Sequence, residues 1–494
     1  MLFNSGVFML FLPLVLLIYY SLPAKHRHIW LLIASYIFYM NWSRRYALLL
    51  LFSTLATYLC GLGISYAQQR SRPRLARGVL VLDLLINLGI LFVFKYFNFA
   101  FESLGTVFTA IGLSADALPH IRVHLPVGIS FYTFQALGYT IDVYRGDIHA
   151  EKDFCRYALF VSFFPQLVAG PIERSRNLLV QLRETKPFSL NRARDGILLM
   201  LWGYFLKLVL ADRAAIVVNT VWGNISEYGG FYLIVASILF AFQIYCDFAG
   251  YSIIAQGVAK IFGIQLMDNF NAPYLATSVA DFWRRWHISL SYWFRDYLYF
   301  PLGGNRKGFT RRCLNLLIVF GVSGLWHGAN WTYVIWGLLN GAFQIIGMFT
   351  KTLSLKIRSL LRIPSNCITR KLFHRLITFI LIDLTWIFFR STTLSESLQI
   401  LKSILHANNP EILFDGSLFQ LGISAPSFIL LILSILLLMA VDICREHGVI
   451  LRQKIQTQDF WFRAMAIAFS ALFILIFGIW GSGYSESGFI YFQF

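Results

Sequence analysis

Apolar residues come in long runs separated by short polar turns along the whole chain. Twelve runs stand out, at 2–20, 29–42, 45–64, 79–101, 125–144, 196–222, 230–250, 313–329, 331–349, 376–392, 427–443 and 464–480. Each is read as a helix. A hydrocarbon layer about 30 Å thick takes about 20 helical residues, and a helix pairs its own backbone groups where no water can. Several runs fall short of that length, which predicts tilted or re-entrant pieces among them. The run Phe154–Gly170 lies between two basic loops and is predicted to enter and leave on one side. Phe8–Tyr20 lacks a basic n-region and an evident small-residue cleavage site, so it is read as a first span rather than a signal peptide. The expectation is an all-α polytopic membrane protein with about eleven or twelve transmembrane helices. It forms one domain over 1–494, with no internal repeat and no soluble part.

Composition supports the same reading. Of 494 residues, 57% are hydrophobic and 13% charged, against about 25% charged in soluble proteins. The net charge of +18 would suggest nucleic acid in a soluble chain. Here the cations cluster in short loops, at Lys25–His28, Arg70–Arg77, Arg145–Arg156, Arg174–Arg194, Arg284–Arg312, Lys351–Arg375 and Arg445–Arg463. The positive-inside rule makes those loops cytoplasmic and the Lys/Arg-poor segments 102–120, 224–229 and 391–426 external. Arg44 and Arg45 are the exception, falling on the outer side. Membrane lipids, not nucleic acid, are the implied surroundings. The six cysteines form no CxxC pair, so neither a zinc site nor a disulfide framework is suggested.

Two stretches carry candidate chemistry. In Cys313–Thr350, His327 is the sole ionisable Asp, Glu, Lys, Arg or His. An ionisable group within a membrane is costly and marks function by default. Two spans share this stretch, so His327 is expected near their turn or within a re-entrant dip, with Gly324 and Gly328 permitting close approach of substrate or backbone. The bland alternative is a neutral histidine hydrogen-bonded between helices. The second stretch is Asp281–Pro301, DFWRRWHISLSYWFRDYLYFP. Trp283, Trp286, Leu290, Trp293 and Tyr297 fall at helical spacing on one face. Arg284, His287, Ser291 and Arg295 form a polar stripe, so an amphipathic helix is predicted with His287 on its polar side. Its bland alternative is an interfacial helix whose histidine has no special role.

The next turn holds Arg306, Lys307, Arg311 and Arg312, a cluster suited to the phosphates of an acyl carrier or to anionic lipid. Pro126–Arg145, Phe164–Glu173 and Tyr245–Tyr251 mix Gly, Pro and polar residues within apolar surroundings. Broken helices in a bilayer need cover from protein or water, which predicts an internal cavity. Asp142, Gln166 and Asp247 are candidate linings for it, or structural hydrogen bonds.

The stretch DFWRRWHISLSYWFRDYLYFPLGGNR followed by GLWHGANWTYVIWG resembles the membrane-bound O-acyltransferases, and within them the bacterial polysaccharide O-acetylation branch. PVGISFYTFQ, FPQLVAGPI, YCDFAGYSIIAQGVAKIFGI and NFNAPYLATSV support it, in family order over about 90–345, and the end Phe489–Phe494 (FIYFQF) is similar too. The resemblance implies a multi-helix fold around a central tunnel, His327 as active-site histidine and His287 as a second, more variable position. It implies a multi-pass protein of a bacterial inner or plasma membrane, with no bound cofactor or metal. Acetyl-CoA is the implied donor, and the implied acceptor is an extracytoplasmic polysaccharide such as alginate. Transfer would pass through an SGNH-type partner. The alternatives are a transporter or flippase of a lipid-linked glycan, D-alanyl transfer as in a more distant Gram-positive branch, and a scaffold for a polysaccharide synthase. Transport predicts internal repeats and paired intramembrane charges, and neither stands out in the sequence.

Overall fold

In a computed structural model, which describes residues 1–114, 118–168, 170–360 and 367–480, all regular structure is helical. Phe489–Phe494 lies outside the described residues. Each of the twelve apolar runs coincides with a helix. Among the described residues seven helices are long and apolar enough to cross a bilayer: Arg44–Gln69, Pro73–Ala110, Phe231–Ile261, Trp331–Lys351, Ile368–Arg390, Ala425–Glu446 and Phe460–Phe477. The other five runs form helices that do not reach that standard. Arg27–Met40, for example, has 14 residues and rises about 21 Å. The count of eleven or twelve spans therefore describes helices, of which seven meet the demands of a full crossing.

The described residues group into two compact units. The first comprises Met1–Met200 and Ile254–Met267, the second Leu201–Ile253 and Asp268–Phe494. Two of the three crossings fall inside helices, at Met200/Leu201 within Leu190–Tyr204 and at Ile253/Ile254 within Phe231–Ile261; the third, Met267/Asp268, lies in an irregular segment.

In the first unit, polar side chains tie buried helices together. Thr140 Oγ1 donates to Asp83 Oδ2 at 2.7 Å, Asn87 Nδ2 to Asp83 Oδ1 at 3.0 Å, and Ser53 Oγ to Asn87 Oδ1 at 2.6 Å. A polar group moved out of water is tolerated only when so paired. Asp142 accepts from Ser175 Oγ at 2.7 Å, and Gln166 donates to Gln135, which donates to the Phe160 carbonyl. Asp142 and Gln166 thus make structural hydrogen bonds. Phe154–Ser162 is a nine-residue helix started by Asp153, whose carboxylate accepts from Arg156 N. Its length of about 14 Å is too short to cross a bilayer by itself.

In the second unit the helical stretch 201–223 passes through a π-helical turn at Phe205–Ala211. That turn carries Lys207. Its ammonium lies 2.9 Å from Asp212 and 2.6 Å from Asp247, and all three side chains are buried. Asp247 sits in a span, so a paired intramembrane charge does exist. The sequence conceals it because Lys207 and Asp247 lie on different helices. On the polar side, Glu446 accepts from Arg285, Lys371 and Arg375, and Arg445 pairs with Asp268. Part of the basic surplus thus braces helix ends.

Candidate active site

His327 is the last residue of Phe309–His327, and Trp331–Leu360 begins four residues later. The hairpin closes tightly because glycines face it. A Cβ on Gly324 would stand 2.1 Å from the Tyr333 carbonyl oxygen, and one on Gly337 2.1 Å from the Phe320 carbonyl oxygen. A Cβ on Gly328 would strike the Tyr333 ring at 2.1 Å. The turn is held by Asn330, which accepts from Thr332 N at 3.0 Å and donates to the Thr392 carbonyl at 2.9 Å. His327 therefore lies at the turn the sequence predicts, and it is 3% exposed.

The expected amphipathic helix over Asp281–Pro301 is broken. Val279–Arg285, started by Ser278 Oγ accepting from Asp281 N, ends before His287. A second helix runs over Ile288–Phe294, followed by a π-helical turn at Arg295–Tyr299. His287 itself is left-handed, at φ 43°, ψ 54°. Such a conformation is uncommon for a residue with a Cβ and costs of order 1–3 kcal/mol, so its persistence asks for a cause. The break turns His287 out of the polar stripe, and it is 0% exposed. Arg284, Ser291 and Arg295 stay together on the other side.

The break brings the two histidines together. Their ring centroids are 6.2 Å apart. His287 packs against Phe248 at 4.6 Å and Trp326 at 6.0 Å. His327 meets Trp326 at 5.0 Å, Trp336 at 5.0 Å and Phe389 at 5.5 Å, each near edge-to-face. Trp386 stacks behind Trp336 at 5.7 Å. Trp283 lies 5.6 Å from Trp336 and donates its indole N–H to Asn340 Oδ1 at 3.0 Å. Two buried imidazoles thus share an aromatic chamber. Among the described residues no group of three or more His, Cys, Asp or Glu side chains is placed to hold a metal ion.

Beside this chamber lies a cavity of about 420 Å³, bordered by Trp283, Phe320 and Ser323, the last one turn before His327. Its lining also includes Arg284, Arg295 and Arg312. Of the four cations assigned to the acyl carrier, Arg312 borders the cavity. Arg306 and Lys307 are exposed on the preceding turn, and Arg311 is half-buried. Arg284 and Arg295 are legible as a stripe at helical spacing, and the structure sets both on the cavity wall. Trp336 and Phe389 carried no signal beyond being apolar residues in spans.

Comparison with known proteins agrees with the geometry. The model for MBOAT, the membrane-bound O-acyltransferase family, matches residues 150–388, which include both histidines. The "Probable alginate O-acetylase AlgI" of Azotobacter vinelandii is 38% identical over 395 residues, covering 80% of this chain and 76% of that protein. The "Peptidoglycan O-acetyltransferase" of Helicobacter pylori is 34% identical over 440 residues, covering 83% and 80%. The "Teichoic acid D-alanyltransferase" of Bacillus subtilis is 28% identical and covers 50% and 66%. With two thirds and more of such relatives spanned at this identity, the chain belongs to the membrane-bound O-acyltransferase family and is an O-acetyltransferase.

Proposed function

We propose that this enzyme takes acetyl groups from cytoplasmic acetyl-CoA and passes them outward for O-acetylation of an extracytoplasmic polysaccharide, such as alginate. The observation that carries the reading is the buried His287–His327 pair beside an apolar cavity edged by arginines. His327 acts as general base. It takes the proton of an acceptor hydroxyl, the oxygen attacks the thioester carbonyl, and the C–S bond breaks. The proton then passes from the imidazolium to the leaving thiolate, giving an acetyl ester and free thiol. Such help is worth about 10²–10⁴ in rate. His287 supports the transfer from the opposite side of the chamber. Arg284, Arg295 and Arg312 meet the donor's phosphates at the cavity, with Arg306, Lys307 and Arg311 on the approach; charged pairs of this kind are strong and directional. The acceptor hydroxyl belongs to an SGNH-type partner that hands the group on to the glycan. The enzyme works as a multi-pass protein of a bacterial plasma membrane.

One observation favours a second reading. The buried Lys207–Asp212–Asp247 cluster is what transport of a glycan lipid predicts. Purified protein in liposomes separates the two. Given labelled acetyl-CoA and the partner, an acetyltransferase transfers label to the partner or its glycan, and His327→Ala stops it. Movement of a glycan lipid between leaflets with no acyl transfer would leave the transporter reading standing.

A further inference from the structure

The sequence of Asp281–Pro301 favours one continuous helix, yet the chain turns left-handed at His287. Something outside that stretch holds the turn. The segment Asp268–Ala272 lies across it. Ile288 N donates to the Asn269 carbonyl at 3.0 Å, and Asn271 N donates to the Arg285 carbonyl at 2.9 Å. These two bonds bracket the break on either side.

The Asn269 side chain adds a third anchor. Its Oδ1 accepts from Ser289 Oγ at 2.6 Å and from Ser289 N at 3.3 Å, so it satisfies an amide at the start of the second helix. Its Nδ2 donates to Ser252 Oγ at 3.1 Å. Ser252 lies one helical turn after Phe248, whose ring packs on His287 at 4.6 Å. Phe270, next to Asn269, packs on Phe248 and on Trp286, each at 5.0 Å. Asn269, Ser252 and Ser289 are all buried to within 2%. A single carboxamide therefore links the helix that carries Phe248 to the turn that carries His287.

We infer that Asn269 is a positioning residue of the acetyl-transfer site: its carboxamide clips the break open and so keeps the His287 ring facing His327. Without the clip, the local preference of 281–301 draws the segment toward a continuous helix. His287 then swings back to the stripe of Arg284, Ser291 and Arg295. The inference rests on the proposed participation of His287 in transfer.

A double-mutant cycle tests it. The rate of glycan acetylation is followed in cells pulsed with labelled acetate, per amount of folded protein, for the parent, Asn269→Ala, His287→Ala and the double variant. Misplacement of a reacting group by about 1 Å costs about 10²-fold. Asn269→Ala is expected to lose about as much as His287→Ala, and the double variant no more than either, because residues acting as a unit are not additive. Asn269→Asp, which keeps an acceptor for Ser289, is expected to recover part of the rate. Ser289→Ala gives a milder lesion of the same clip should Asn269→Ala fail to accumulate, and its loss should likewise vanish in the His287→Ala background. Equal fold losses from Asn269→Ala or Ser289→Ala in both backgrounds would overturn the inference, leaving Asn269 a general brace of the fold. Parental activity in His287→Ala would instead remove the participation of His287, and with it the inference.

Discussion

The two histidines reach one chamber by opposite routes. His327 is placed by its own neighbourhood: glycines at helical spacing bring two consecutive helices into contact, and the histidine is the last residue of the first of them. His287 is placed against its neighbourhood, by a strap that overrides the helical preference of the residues around it. The first arrangement is a packing solution, rigid because backbone meets backbone. The second is a strained turn, which persists only because the surrounding structure over-determines it. A site built in this way has one fixed partner and one whose orientation depends on a few hydrogen bonds.

That contrast can be broken at its rigid half first. Gly337→Leu is expected to have the largest effect on the fold, since even its Cβ would lie 2.1 Å from the Phe320 carbonyl oxygen. Overpacking usually costs about 1–3 kcal/mol, and a clash with backbone sits at or beyond the upper end. The yield of folded protein in detergent reads this out, and a parental yield would mean the hairpin yields easily. At the strained half, His287→Ala should leave folded protein and its melting temperature near parental levels. It should slow acetylation by about 10- to 100-fold, less than full general-base loss. A rate equal to the parent's would make the strain at His287 purely architectural.

The arginines give the smallest effect and sharpen the comparison at the cavity. Arg284→Gln, Arg295→Gln and Arg312→Gln should each raise the donor's KM about tenfold, as loss of a charge-assisted hydrogen bond does. Arg306→Gln and Lys307→Gln, exposed on the approach, should raise it about twofold or less. Initial rates over a range of acetyl-CoA concentrations decide this. The reverse order would return the carrier to the turn that the sequence alone suggests.

The extent to which the molecule was legible follows the same division. Helix positions were readable because burial in lipid or protein writes itself into uniform apolar runs, and all twelve runs are helices. The His327 turn was readable because two spans packed into one short stretch leave room for nothing else. What the sequence concealed depends on partners distant along the chain. Asn269 breaks a helix that begins ten residues later. Lys207 finds Asp247 from another helix. Phe389 joins the chamber from a span whose pattern is merely apolar. The cavity arginines Arg284 and Arg295 were visible as a stripe, but their separation from His287 depends on the helix break.

The central claim is that His327 carries the proton in acetyl transfer. The most direct measurement compares base-labile acetate on the glycan from cells making the parent or His327→Ala, at matched levels of folded membrane protein. The account predicts a loss of at least about 10²-fold, with protein level and melting temperature unchanged. Acetylation at the parental rate would contradict it and leave His327 as a buried structural histidine.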